Sequence, residues 1–439
     1  MDITTTYSVK IKHFNAIFRD TIRKYQNAVN YCIQVCLENW DLISSLQSVN
    51  HKSNAVEHMI HATAKNPNVK YDFDCNFYKF PTYLRRAAIR EAIGSVSSYK
   101  SLLANWNENH IGCRPSPPKA GNTHPILYRK EMFVRTGNYT ARIKVFIRNT
   151  WDWLDVELKK TDVDYILHHC QNYKECVPRL QKRGKEWFLD FSFQEKVSLN
   201  NTNVFQQTVL AVDLGVNNAC TCSVMRPDGT VLAREFLHLT REEDCLRHAL
   251  NRIKKAQQNR AKRTPRLWAL PKNINTDIAR KTAMFIVDVA ARNGVHVIVF
   301  EHLGLTRKKR GTKKLRLHLW KARSVQNMVS IKAHRLGIRI SHVCAWGTSA
   351  FAFDGSGRVK RNVNHNYSLC VFQTGKLYNC DLNATYNIGA RYFIREILRE
   401  MSVTTRLTIQ AKVPECVKRA TCTLSSLINL NAVLTSHCF

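Results

Sequence analysis

The sequence predicts a multidomain α+β protein: a small β-barrel interrupted by a helical domain, then an α/β module. Three observations carry that prediction. Period-two stretches stand on both sides of two long helical stretches, TTYSVKIKH before them and ARIKVFIRN and VPRLQKRGKEWFLDFSF after them. A Pro/Gly-rich linker, GCRPSPPKAGNTHP, closes the helical region. The second half alternates short apolar runs with amphipathic helical ones. At 439 residues the chain can support two or three domains, each with a core of normal size.

Composition narrows the function classes. Sixty-seven Lys and Arg stand against 33 Asp and Glu, a net charge of +34, and the natural counter-charge for such an excess is a polyphosphate backbone. A membrane is a poorer fit, since no apolar run approaches the roughly 20 residues that a span needs. The start, MDITTTYSVKIKHF, lacks the charged-then-apolar order of a secretory signal, so the expectation is a soluble cytoplasmic protein. Fifteen cysteines are scattered without paired CxxC spacing, and Cys32, Cys36, Cys220, Cys222, Cys344 and Cys380 sit in apolar contexts as small hydrophobes. The one local cluster, His168, His169, Cys170 and Cys176, matches no common zinc spacing.

Taken in order, TTYSVKIKH reads as a first strand. A long helix follows, with Ile17, Ile22, Tyr25, Val29, Cys32, Ile33 and Cys36 recurring at helical spacing as core positions. A second helix, FPTYLRRAAIREAIGSVSSYKSLLANW, places Arg86 and Arg90 four apart on one face, available to phosphates or to a base edge. Beyond the linker, Ile143, Val145 and Ile147 alternate in one strand. A hairpin turning at Lys182-Arg-Gly-Lys185 then returns with Trp187, Leu189, Phe191 and Phe193 on one face.

The last module starts near Gln206 with a β-meander. Its first strand, Val209 to Val212, delivers Asp213 to the carboxyl end, and its second strand turns at Arg226-Pro-Asp-Gly. Thr240 is expected to cap the next helix with Glu243 completing a capping box, and Leu246, Ala249, Leu250 and Ile253 form its buried stripe. Lys254, Lys255, Arg260, Lys262 and Arg263 crowd its far end, where cations suit both the helix dipole and a nucleic-acid groove. NTDIARKTAMFIVDVAARNG reads as a helix ending at Gly294 that feeds HVIVFEHL, a strand carrying Glu301. RKKRGTKKLR, from Arg307 to Arg316, holds seven basic residues and no acid, and suits contact with a substrate strand. LHLWKARSVQNMVSIKAHRLG is another helix, IRISHV another strand, and YNCDLNATYNIGAR places Asp381 at the start of a long helix. Three carboxylates at element ends, in the order Asp213, Glu301, Asp381, are what a ribonuclease H-like nuclease needs to hold two divalent metals.

These residues carry a resemblance. DLGVNN with Asp213, VFEHL with Glu301, and CDLNATYNIGAR with Asp381 and Asn383 resemble the three RuvC motifs of the TnpB family, transposon-associated RNA-guided nucleases related to the compact type V CRISPR effectors. The order of elements before them resembles that family's wedge and recognition domains. The resemblance implies a first wedge strand at 1–12, a helical recognition domain at 13–112 and a wedge-type β-barrel at 113–200. A ribonuclease H-like (RuvC) nuclease domain at 201–411 follows, with a tail at 412–439 whose Leu427 to Leu434 segment packs on the nuclease module. It also implies RNA-guided endonucleolytic cleavage of DNA, with two Mg²⁺ ions, or Mn²⁺ in their place, held by Asp213, Glu301 and Asp381. A guide RNA would pair with one strand of a double-stranded DNA target while the protein reads a short flanking motif. Arg86 and Arg90 would act near that motif, and Lys254, Lys255, Arg260, Arg307, Lys308, Lys309 and Arg310 on the nucleic acid. One copy or a homodimer per guide RNA is left open.

One departure matters. The relatives carry four zinc-binding cysteines after a Thr-Ser pair. Here Thr348 and Ser349 are followed by Phe351 and Asp354 at the first two positions, and by Cys370 and Gln373 at the later two, within a cysteine-poor insertion at about 344–380. One thiolate does not close a tetrahedral site, so no structural zinc is expected, and Phe351, Phe353 and Phe372 would pack in its place. Two alternatives stand beside the guided nuclease: a guide-RNA-dependent DNA binder that does not cut, and an RNA-independent RuvC or ribonuclease H-like nuclease, which would leave roughly the first 200 residues without a role.

Overall fold

The computed structural model describes residues 1–12, 16–110, 112–128, 130–215, 218–261, 264–303, 321–361, 368–418 and 420–436. The chain is mixed α+β and divides into two compact units: residues 2–196, and residues 197–439 together with Met1. Among the described residues no helix is long and apolar enough to cross a membrane.

The first unit opens with β1 (Asp2–Lys10). Five helices follow, α1 (Ile17–Glu38), α2 (Trp40–Ser45), α3 (Val49–Ile60), α4 (Phe73–Asn76) and α5 (Thr82–Asn109). The chain then returns to strands with β2 (Phe133–Arg135), β3 (Thr140–Ile147), β4 (Thr150–Glu157), α6 (Lys160–His169), β5 (Lys174–Glu175), β6 (Arg179–Arg183) and β7 (Glu186–Lys196). β7 pairs antiparallel with β1 on one side, from Asp2↔Lys196 to Lys10↔Phe188, and with β5 and β6 on the other. The first strand is thus joined to a strand nearly two hundred residues away, with the helices inserted between them. The hairpin turns at Gly184, whose φ of +63° suits a residue without Cβ. Trp187, Leu189, Phe191 and Phe193 alternate inward and are all buried. Phe18 of α1 meets Trp187 edge-on at 5.3 Å, and the buried Thr21 hydroxyl accepts from the Phe146 N–H at 2.9 Å, which seats α1 on β3.

The expected barrel does not close. β2, β3 and β4 form a separate antiparallel sheet, joined to the first by the isolated bridge Ile11↔Leu158 rather than by a continuous ladder. The contact ends there: after Leu158 the chain turns into α6 rather than extending the ladder along β1.

The second unit contains β8 (Val209–Asp213), β9 (Cys220–Met225), β10 (Val231–Leu237), α7 (Thr240–Gln258), α8 (Pro265–Arg292), β11 (Val297–His302), α9 (Ala322–Arg335), β12 (Arg339–Cys344), β13 (Leu369–Val371), β14 (Leu377–Asn379), α10 (Cys380–Glu400), α11 (Val403–Lys412) and α12 (Leu424–Ser436). Its sheet runs β10-β9-β8-β11-β12; β8, β11 and β12 are parallel, and β9 and β10 antiparallel. Both faces are covered, as the unbroken apolar run of β8 demands. Leu210 and Val212 pack with Ala279, Ala283 and Ile286 of α8 and Val329 of α9. Val209 and Ala211 pack with Tyr386, Ile388 and Phe393 of α10 and Leu427 of α12.

Three local expectations need correction. Thr240 is the first helical residue of α7 and not its cap, because the Glu243 N–H already bonds the Leu239 carbonyl at 2.9 Å. Helix α8 begins at Pro265, ten residues before the stretch that periodicity marks out, and carries Pro271 within it. Cys344 is exposed, whereas Cys32, Cys36, Cys220, Cys222 and Cys380 are buried thiols.

Gly389 sets how closely α10 lies on the sheet. A Cβ there would run into Met225 Sδ and stand 3.5 Å from Ala211 Cβ. Gly389→Val should lower unfolding stability by about 1–3 kcal/mol in urea titrations, the cost of overpacking a filled site. An unchanged midpoint would refute the close approach.

Candidate active site

Strand parity and register position the first two acids. Side chains alternate along a strand, so Asp213 shares the α10 face with Val209 and Ala211, and Glu301 shares it with Val297 and Val299. Phe300 is in register with Val212, and the strands are parallel, so Glu301 and Asp213 emerge as neighbours at the same carboxyl edge. The third acid comes from α10. Asn379 caps it, its Oδ1 accepting from the Asp381 and Leu382 N–H groups at 2.9 and 3.0 Å, which places Asp381 in the first turn, where the helix dipole suits an anion. A buried contact between Ser223 Oγ and Thr385 Oγ1, 2.6 Å, pins that end of α10 to β9.

The other two carboxyls act on Asp213. Burial pushes the Asp213 carboxyl well above the ordinary range, Glu301 and Asp381 push it further, and Arg361 opposes them. Burial also raises Glu301, against a hydrogen bond from Thr348 and the charge of Arg391. Neutral donors hold the acids at present. Asn218 Nδ2 donates to Asp381 Oδ2 at 2.6 Å, and the Thr348 hydroxyl donates to Glu301 Oε1. Among the described residues no three His, Cys, Asp or Glu side chains stand in a ready-made metal cage. The donor set itself fits a hard divalent cation: all oxygen, half-buried, and carrying like charges that a cation would neutralise.

A buried stripe on α10 supports the site. Asn383, Asn387 and Arg391, spaced four apart, share one face and are nearly inaccessible to solvent. Asn383 Nδ2 donates to the Phe351 carbonyl and its Oδ1 accepts from the Phe353 N–H, both at 2.8 Å. Asn387 donates to the carbonyls of Thr348 and Phe351, each at 2.9 Å. Arg391 donates to the carbonyls of Cys344 (2.8 Å), Trp346 (2.9 Å), Cys422 (3.1 Å) and Ala420. Asn218, Asn387 and Arg391 escape a reading of the sequence. Only the i, i+4 repetition of polar residues in an otherwise apolar helix hints at the last two.

In the cysteine-poor segment, Phe353 contacts Phe372 at 5.4 Å, Tyr378 at 5.0 Å and Tyr386 at 5.2 Å, around the buried Cys370 and Cys380. Phe351 lies apart from that cluster, against Trp346 at 5.7 Å.

The basic candidates are dispersed. Arg86 and Arg90 are exposed on one face of α5, but Arg86 Nε pairs with Glu57 at 3.1 Å and Arg90 bonds Asn50 Oδ1 at 3.3 Å. Glu57 is shared with the buried Arg85. Lys254, Lys255 and Arg260 are exposed at the carboxyl end of α7. Arg307, Lys308, Lys309 and Arg310 lie outside the described residues, as do Lys262 and Arg263.

Comparison with known proteins gives three kinds of match. The model of the Aq_aa04 family matches residues 5–147. The TnpB-like protein aq_aa05 of Aquifex aeolicus (strain VF5) is 28% identical over 233 residues, covering 48% of this chain and 75% of its own length. An uncharacterized protein of the same organism, aq_aa04, is 37% identical over 82 residues, 18% of this chain and 45% of that relative, so the match spans less than half of it. Among solved structures, the Cas12f1 chain of a cryo-EM complex with single-guide RNA and target DNA superposes with a TM-score of 0.56 at 14% identity, covering 88% of this chain and 98% of that one.

Proposed function

We propose that this chain, TnpB-like in sequence and with the fold of a compact type V effector, is an RNA-guided DNA endonuclease that hydrolyses phosphodiesters at a RuvC-type site. The observation that carries the reading is the emergence of Asp213 and Glu301 as neighbours at one carboxyl edge of the sheet, with Asp381 near enough to raise the Asp213 carboxyl together with Glu301. Half-buried acids so arranged oppose folding and are offset by a bound cation.

Asp213, Glu301 and Asp381 would hold Mg²⁺ or Mn²⁺. Such ions supply activation of a water and neutralisation of charge at the leaving 3′-oxygen. The protein's own contribution is positional. β8 and β11 fix two carboxylates in register, α10 brings the third, and Thr348 orients one Glu301 oxygen. Arg361, whose guanidinium bonds the Ser349 carbonyl at 3.1 Å, adds positive charge where a phosphate would arrive. No structural zinc belongs to this reading; aromatic packing around Phe353 takes that place. Residues 2–196 would supply the wedge and recognition functions, and Lys254, Lys255 and Arg260 would meet backbone phosphates.

The test is to express the full chain with its native flanking DNA and sequence the RNA that travels with it. One defined RNA species is expected. Absence of bound RNA would point to the RNA-independent nuclease, and guide-matched DNA bound but left uncut in Mg²⁺ would point to the non-cleaving binder.

A further inference from the structure

We infer that Thr348 is a positioning residue for Glu301, and that through Asn387 it couples the Glu301 carboxylate to the helix carrying Asp381. The inference deepens the proposed function and rests on it. Thr348 is 3% exposed, and its hydroxyl faces two acceptors, Glu301 Oε1 and the Ala345 carbonyl at 3.2 Å. A hydroxyl has one proton to give. The carboxylate, shorter in contact and charged, is the stronger acceptor and takes it. That commits one Glu301 oxygen and leaves the other for a cation.

Thr348 is itself fixed from α10. Its carbonyl accepts from Asn387 Nδ2 at 2.9 Å; Asn387 also bonds Phe351, and its Oδ1 accepts from the Leu424 N–H at 3.2 Å. The main chain of Glu301 is held separately, its carbonyl accepting from Gln326 Nε2 at 3.0 Å. With backbone and one oxygen both anchored, the Glu301 side chain is left a single arrangement. Asn387 lies six residues beyond Asp381 on the same helix, so the two acids are oriented by one rigid element.

The experiment titrates Mn²⁺ alone into the full-length protein and follows free Mn²⁺ by electron paramagnetic resonance. Thr348→Val keeps the shape and removes the donor, and should weaken Mn²⁺ binding by about tenfold or more, the usual effect of losing a partner behind a metal ligand. Thr348→Ser should bind as the wild type does. In a Glu301→Gln background, Thr348→Val should change nothing further. Wild-type affinity in Thr348→Val, or the same loss in the Glu301→Gln background, would overturn the positioning role while leaving the proposed function in place. Wild-type affinity in Asp213→Ala would overturn the proposed function itself. If Thr348→Val does not fold, Thr348→Ala measured against Thr348→Ser decides the same question.

Discussion

Asp213→Ala should reduce metal-dependent DNA cutting by on the order of 10³-fold, the scale of losing a central charged group at a site built on electrostatics, yet leave the protein no less stable. The two halves of that expectation come from the same geometry. Asp213 stands half-buried at the end of a strand whose other four residues are buried, raised by burial and by two neighbouring acids, so without a cation its charge opposes folding. Removing it relieves that repulsion. It also removes a negative charge near arriving phosphates, so nucleic-acid affinity should hold or rise. Guide-matched cleavage assays and thermal melts read both. A variant that cuts normally, or one that is inactive only because it unfolds, would contradict the assignment.

Arg391→Ala should be the most destabilising single change in the second unit. The side chain donates to four carbonyls from two chain segments, 344–346 and 420–422, and lies 4% exposed. Truncation leaves those carbonyls buried and unpaired at about 1–3 kcal/mol each before relaxation; since such losses do not add fully, a total of about 3–5 kcal/mol is expected. For a unit of this size that corresponds to a fall in Tm of roughly 10 °C. Arg391→Lys keeps the charge but loses the planar fork, and should recover only part of the loss. Circular dichroism melts check the order; an Arg391→Ala protein melting with the wild type would refute the clamp.

What the sequence discloses follows physical range. Strand parity is local: in VLAVD and VIVFE the acid falls an even number of positions from the first apolar residue, so both carboxylates must leave on one face. Helix faces are local too, which is why Tyr25, Cys32 and Cys36 can be read as core before any fold is known. The open pair of sheets in the first unit is not local. Closure depends on which strand edges find partners, and alternation says nothing of that. Thr348, Asn218, Asn387 and Arg391 acquire their roles from residues between 29 and 163 positions away in the chain, and no short motif announces them. The identity of Glu57 as the partner of both Arg85 and Arg86 is hidden for the same reason: it lies on a different helix.

Anomalous scattering from crystals grown with Mn²⁺ is the most direct measurement of the central claim. The account predicts density for the ion bounded by carboxylate oxygens of Asp213, Glu301 and Asp381, with Asn218 turned away from Asp381. Manganese bound elsewhere, with Asn218 still on Asp381, would contradict it.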